Sequence, residues 1–273
     1  MITGGETMQL KYSENRKAFV TGGANGFGLG TAKELVNIGA QVTIADINQE
    51  ALDKAQEEIN SDLVDTCVVD VSNKESLTKA IDSSAKKMKG LDTLVNSAGV
   101  FEFRKLEDIS EKEWDWIMDI NAKGTFLATQ IAMPYLKESK NGRVVNLSSD
   151  GGKKGFAMIT TYCASKFAVT GMTQAIGAEV APHGVTVNAV CPATTPGTGM
   201  GEKVAGQKVQ LYKEMGFSKG DVETILKEGA EAFPLKRLGT VEDIVSVIMY
   251  LISENASWIT GESINIDGGT LSG

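Results

Sequence analysis

Val20-Thr21-Gly22-Gly23-Ala24-Asn25-Gly26-Phe27-Gly28 decides how this chain reads. The β-rich run from Lys17 to Thr21 leads into it, and a helical pattern continues from it to Ile38, with Gly39 as the stop. A strand, a glycine turn and a helix in that order are the context in which such a turn can hold a dinucleotide pyrophosphate. Glycine permits positive φ and close approach of backbone to phosphate, and the helix N-terminus presents oriented N–H donors. Gly22, Asn25, Gly26, Phe27 and Gly28 are therefore candidate cofactor contacts. No Gly-Lys-Ser/Thr follows, which excludes a triphosphatase loop.

Outward from the turn, short apolar runs alternate with helical segments. Gln41 to Ala45 ends at Asp46; Leu63 to Val69, Leu91 to Val95, Gly142 to Leu147, Val185 to Val190 and Ser263 to Ile266 follow. Between them lie helical patterns, including long ones over about 110–136 and 161–180. This alternation predicts right-handed βαβ units: one α/β, doubly wound, Rossmann-type parallel sheet of about seven strands with helices on both faces. No repeat or Pro/Ser linker divides the 273 residues. Residues 17–273 read as a single domain after an N-terminal extension of 1–16.

Asp46 closes the second strand twenty-four residues after Gly22. A carboxylate there accepts hydrogen bonds from adenosine ribose hydroxyls and repels a 2′-phosphate. Ala45-Asp46-Ile47-Asn48 holds no Lys or Arg to neutralise one, so the expected cofactor is NAD, with Ile47 beside it.

Composition narrows the function classes. With 27 basic and 35 acidic residues the formal charge is -8, against a nucleic-acid partner. No run of eighteen apolar residues predicts a membrane span, and Met1 to Lys17 lacks a signal-peptide core. Cys67, Cys163 and Cys191 are odd in number and without a CxxC pair, which reads as reduced thiols in a cytoplasmic protein with no metal site. The single histidine, His183, sits in a Pro-His-Gly turn. Acid–base chemistry must use another group.

Tyr162 and Lys166 stand four apart on a predicted helix and share a face. A phenol with a pKa of about 10 is a poor base at neutral pH. An ammonium about 5 Å away, at an effective dielectric of about 20, is worth roughly 3 kcal/mol, or about two pKa units. The positive ring of an oxidised nicotinamide acts in the same direction, bringing the phenol to pH 7–8. Ser149 lies thirteen residues before Tyr162.

Taken together, these residues resemble the short-chain dehydrogenase/reductase family over roughly residues 15–270. Thr21 to Gly28 matches TGxxxGxG; Asp70-Val71 matches the adenine-side pair; Asn96-Ser97-Ala98-Gly99 matches NNAG with serine for the second Asn. Asn121 matches the structural and catalytic asparagine, Tyr162-Cys163-Ala164-Ser165-Lys166 matches YxASK, and Ile259-Thr260-Gly261 with Asp267-Gly268-Gly269 matches the C-terminal strand region. The resemblance implies that Tyr162 is the general acid/base and Lys166 binds the nicotinamide ribose. It makes Ser149, rather than its neighbour Ser148, the donor to the substrate oxygen, and Asn121 the holder of a relay water. It extends the cofactor contacts to Asp70, Val71, Asn96 and Ala98. Pro192-Ala193 replaces the family's Pro-Gly, and the loop after it is one residue longer; Thr195 is the expected carboxamide contact there.

The resemblance also implies NAD-dependent interconversion of a secondary alcohol and a ketone by a homotetramer or homodimer packed through the two long helices. The substrate would be a small molecule held under a lid within about 192–240, where Val222, Ile225, Leu226, Ala230 and Phe233 suggest a helix. Phe156, Met158, Met200, Tyr212, Met215 and Phe217 suit a bulky ring alcohol such as a hydroxysteroid. Glu102, Asp150, Lys153 and Lys154 near the same mouth suit a polyol or sugar alcohol. A non-catalytic NAD-binding regulator would show a broken Asn/Ser/Tyr/Lys set, and all four residues are present here.

Overall fold

Seven parallel strands form the centre of the computed structural model, which describes residues 9–214 and 221–271. They are β1 (Lys17–Thr21), β2 (Gln41–Asp46), β3 (Val64–Val68), β4 (Thr93–Asn96), β5 (Arg143–Leu147), β6 (Thr186–Pro192) and β7 (Ser263–Ile266). Their order is β3-β2-β1-β4-β5-β6-β7. Every residue of β4, β5 and β6 is buried, as expected for strands covered on both faces. The order reverses between β1 and β4, so a crevice opens at the C-terminal ends of those strands, the usual ligand position in such sheets.

The helices are α1 (Gly26–Asn37), α2 (Gln49–Ile59), α3 (Lys74–Met88), α4 (Glu111–Met118), α5 (Thr125–Glu138), α6 (Thr160–Val180), α7 (Met200–Glu214), α8 (Val222–Ala232) and α9 (Val241–Ile252). On one face Ala32, Leu35, Leu52, Ile244 and Ile248 cover Val20, Val42 and Val145. On the other, Leu77, Ile81, Leu127, Ala132 and Leu136 cover Phe19, Leu94 and Val144. Asn96 ties neighbouring elements together inside the sheet: its Nδ2 donates to Asn146 Oδ1 at 2.8 Å and to Thr129 Oγ1 at 3.0 Å. Among the described residues no helix is long and apolar enough to cross a membrane.

Two features differ from the expected pattern. The helix anticipated over 110–136 is two helices joined by a π-helical segment, Asp119–Gly124. The lid helix expected on Val222 to Phe233 is α8, and a second helix, α7, precedes it. Of the lining residues anticipated there, Met215 and Phe217 lie outside the described residues, as does the side chain of Tyr212. Residues 1–8 of the N-terminal extension also lie outside, but Tyr12 packs on the core and other residues of the extension bond to the domain. Lys11 N–H donates to Asn255 Oδ1 at 2.8 Å, and Arg16, 1% exposed, donates to Thr93 Oγ1 at 2.7 Å. These contacts lie at the N-terminal edge of the sheet, opposite the crevice.

Candidate active site

The glycine turn builds the first wall of the crevice. Gly22 has φ 62° and Gly26 has φ 52°, conformations that favour a residue without a Cβ. Gly28 sits so close to the turn that a Cβ on it would lie 2.2 Å from the Gly22 carbonyl oxygen. Asn48, Asn73, Ser110 and Thr240 cap α2, α3, α4 and α9 with side-chain oxygens, whereas Asn25 makes no such bond at α1 and no acidic residue occupies its first turn. The α1 N–H groups are thus left to an anionic group, as a bound pyrophosphate requires.

The neighbouring strand ends complete the groove. Asp46 closes β2, its Oδ1 accepting from Asn48 N–H at 3.2 Å, and Ile47 beside it is 69% exposed. Asp70 Oδ1 accepts from Ser72 N–H at 2.9 Å and Ser72 Oγ at 2.6 Å, while Val71 packs on Gly124. Ala98 lies against Gly22, and its N–H faces Thr21 Oγ1 at 3.3 Å. The Asn96 side chain is turned into the sheet, so only its backbone faces the groove side of β4. Thr195 is buried, its Oγ1 donating to the Ala193 carbonyl at 3.0 Å, and Thr198 of the same loop reaches over Gly26. An uncapped helix, a glycine cradle and a carboxylate at the second strand end fit an extended dinucleotide.

Farther along the sheet edge, four polar side chains meet. Asn121 is fully buried in the π-helical segment, where its amide reaches both the loop after β4 and helix α6. Its Oδ1 accepts from Val100 N–H at 2.7 Å; its Nδ2 donates to the Val100 carbonyl at 2.9 Å and to Ser165 Oγ at 3.0 Å. Such π-turns recur at functional sites. A Cβ on Gly99 would lie 3.3 Å from Asn121 Oδ1, 3.6 Å from Lys166 Nζ and 3.9 Å from Met200 Cε. One on Gly151 would lie 3.4 Å from Tyr162 Cε1 and 3.5 Å from Ser149 Oγ. The fold therefore gathers Asn121, Ser149, Tyr162 and Lys166 around two glycines. Ser148 points away, donating to the Lys166 carbonyl at 3.0 Å.

Burial controls the electrostatics. Tyr162 is 8% exposed, and desolvation raises its phenol well above the ordinary range. Lys166, 5% exposed, is drawn down to about 8 by the same desolvation. Its Nζ donates to the Leu147 carbonyl at 2.7 Å and stands 5.7 Å from the Tyr162 ring centre. A phenol made acidic by Lys166 is thus not what the protein alone presents, because taking both groups out of water favours their neutral forms.

Some contributors were missed or under-read in the sequence. Phe101 meets the Tyr162 ring edge-on, with centres 4.8 Å apart, and restricts its position. Asp150 Oδ1 accepts the Ser149 hydroxyl at 2.8 Å, and burial lifts its carboxyl above the usual value. Its adjacency to Ser149 was the available signal. Glu102 joins the loop after β4 to α7, accepting from Gln207 Nε2 at 2.7 Å and Lys203 Nζ at 3.3 Å.

Residues 16–208 match the family described as short chain dehydrogenase. The chain belongs to that family. It is 33% identical to 2-(S)-hydroxypropyl-CoM dehydrogenase 3 of Xanthobacter autotrophicus, an alignment covering 94% of this chain and 96% of that one. To L-2,3-butanediol dehydrogenase of Corynebacterium glutamicum it is 34% identical, covering 94% and 99%. The structure of an actinorhodin polyketide ketoreductase variant with NADPH aligns with TM-score 0.87 at 27% identity, over 95% of this chain and 98% of that chain. This short chain dehydrogenase is an oxidoreductase acting on alcohols, and its family binds a nicotinamide cofactor.

Proposed function

We propose that this short chain dehydrogenase uses NAD to interconvert a secondary alcohol and a ketone. The observation that carries the reading is the packing of Ser149 and Tyr162 on Gly151, with Asn121 and Lys166 on Gly99, beside an uncapped α1. When bound, NAD supplies the hydride acceptor for the carbinol carbon. Tyr162 takes the hydroxyl proton in oxidation and returns one in reduction. Ser149 donates to the substrate oxygen as negative charge develops on it. Lys166 holds the nicotinamide ribose and, with Asn121, connects Tyr162 to solvent through an ordered water. Asp46, without a basic neighbour in Ala45–Asn48, favours a free ribose 2′-hydroxyl over a phosphate.

For the substrate, the apolar rings Phe101, Phe103 and Phe156 with Met158 and Met200 support a ring alcohol such as a hydroxysteroid. The acidic Asp150 beside Ser149 supports the second reading, a polyol. We further propose assembly as a homotetramer or homodimer, supported by Trp114, Trp116, Phe126 and Phe167, exposed on α4, α5 and α6.

The test is nicotinamide reduction by the full chain with a panel of secondary alcohols and either NAD or NADP. The proposal expects turnover with NAD, a fall of about 10³-fold or more in Tyr162→Phe, and a shift toward NADP in Asp46→Arg. Near-unchanged turnover in Tyr162→Phe overturns the mechanism, and unchanged cofactor preference in Asp46→Arg overturns the NAD assignment.

A further inference from the structure

A serine hydroxyl carries one proton, and that of Ser149 is already committed. Ser149 Oγ donates to Asp150 Oδ1 at 2.8 Å and accepts from Gly151 N–H at 3.1 Å. The direction of the first bond follows from chemistry, because an ionised carboxylate only accepts. Asp150 Oδ1 also accepts from Gly151 N–H at 2.7 Å, so it is fully used. Asp150 Oδ2 receives no hydrogen bond from the described residues, and it is not among the buried unpartnered atoms; it therefore opens to solvent. Tyr162, Cys163 and Asp267, all of them acids, interact electrostatically with this carboxylate, and Lys153 and Lys154 donate backbone N–H groups to the Asp150 carbonyl.

In catalysis the Ser149 proton must turn from Asp150 to the reacting oxygen. A half-buried carboxylate then loses its charge-assisted hydrogen bond. A monohydric alcohol offers nothing in exchange. A substrate with a second hydroxyl on the adjacent carbon does: neighbouring hydroxyl oxygens are separated by about one hydrogen-bond length, the same as the Ser149–Asp150 spacing.

We propose that Asp150 is a specificity-determining residue, its carboxylate accepting a substrate hydroxyl adjacent to the reacting carbon in exchange for the Ser149 proton. The substrate class is vicinal diols, and α-hydroxyketones in the reverse direction. The balance is that of the dehydrogenase reading on which this rests: the reacting C–H leaves as hydride to NAD, its O–H proton goes to Tyr162, and the second hydroxyl is unchanged.

The experiment compares kcat/KM for 2,3-butanediol, 2-butanol and 3-amino-2-butanol with the wild-type full chain, Asp150→Ala and Asp150→Asn. The expected wild-type preference for the diol over 2-butanol is tenfold or more. In Asp150→Ala that ratio falls at least tenfold, chiefly through KM for the diol. Asp150→Asn, which keeps a neutral acceptor, recovers part of it. A purely structural role for Asp150 would not move the ratio. A wild-type ratio near one, a ratio unmoved in both variants, or a preference for the amino alcohol overturns the proposal while the dehydrogenase reading stands. If Asp150→Ala fails to fold, the wild-type ratio and Asp150→Asn decide alone. No turnover of any of the three alcohols with either dinucleotide removes both.

Discussion

Gly28→Ala tests whether the cofactor turn is built on backbone contact. Gly28 is the third residue of α1, so on helix propensity alone alanine would gain about 1 kcal/mol. The surroundings reverse that. The added Cβ would lie 2.2 Å from the Gly22 oxygen, 2.8 Å from the Gly22 carbon and 3.1 Å from Gly23 Cα, all of them backbone atoms. Reaching an ordinary contact of 3.4 Å requires an opening of about 1.2 Å, and Gly22 has no room to retreat, because it is flush against Ala98. Overpacking costs about 1–3 kcal/mol when side chains can yield; an unyielding backbone puts this site at the upper end. The net loss is about 2 kcal/mol, which lowers Tm by about 4–8 °C for a domain of this size. Displacing the turn also weakens dinucleotide binding at least tenfold. Gly171, on α6 with nothing within 4 Å, is the control: Gly171→Ala gains up to about 1 kcal/mol. Thermal unfolding by circular dichroism and NAD titration by fluorescence measure both effects. A Gly28→Ala protein as stable as wild type, with unchanged NAD affinity, would refute the steric reasoning.

Asn121→Ala strips three buried hydrogen bonds and leaves both Val100 backbone groups unpaired, so unfolding should come about 3 kcal/mol easier; a loss under 1 kcal/mol in denaturant titration contradicts the bracing role. Asp243, held at about 2 chiefly by Arg237, caps α9 with Thr240. A carboxylate pKa lowered by folding stabilises above about pH 4 and loses that contribution as pH falls toward 2. Because the pair is partly exposed, Asp243→Asn should cost only about 1 kcal/mol at pH 7, with the difference vanishing near pH 2; a pH-independent difference rules the linkage out. Tyr162 should stay protonated in the free protein to about pH 10 or above, seen as no tyrosinate absorbance difference between wild type and Tyr162→Phe below that pH. A titration step near pH 7–8 would contradict the dominance of burial.

What the sequence disclosed and what it withheld divide along one line. The strands, the glycine turn and the position of Asp46 rest on local backbone chemistry, which residue type and spacing report directly. The Tyr162–Lys166 face is likewise local, one helical turn apart. The π-helical segment is not: apolar periodicity runs through 110–136 without a break, and what sets the turn is Asn121 reaching Val100 and Ser165, 21 and 44 residues away. The edge contact of Phe101 on Tyr162 and the tie from Glu102 to α7 are of the same kind. Desolvation belongs here as well. A sequence shows that an ammonium is near a phenol, but only the packed structure shows that both have been taken out of water.

That burial bears on how the site can serve both directions of a redox reaction. Desolvation favours the neutral form of each partner, raising the Tyr162 phenol and drawing Lys166 down to about 8. Lys166 Nζ donates to the Leu147 carbonyl and makes no hydrogen bond to the Tyr162 hydroxyl in this arrangement. The same low dielectric makes Tyr162 sensitive to other charges, because a unit charge acts several-fold more strongly there than in water. In the proposed mechanism a cationic ring beside the phenol would promote loss of its proton, as alcohol oxidation requires, and a neutral, reduced ring would leave the proton in place for donation to a ketone. On the proposed mechanism, burial that opposes acidity in the protein alone would couple the protonation of Tyr162 to the oxidation state of a bound dinucleotide, and exposing the tyrosine would weaken that coupling.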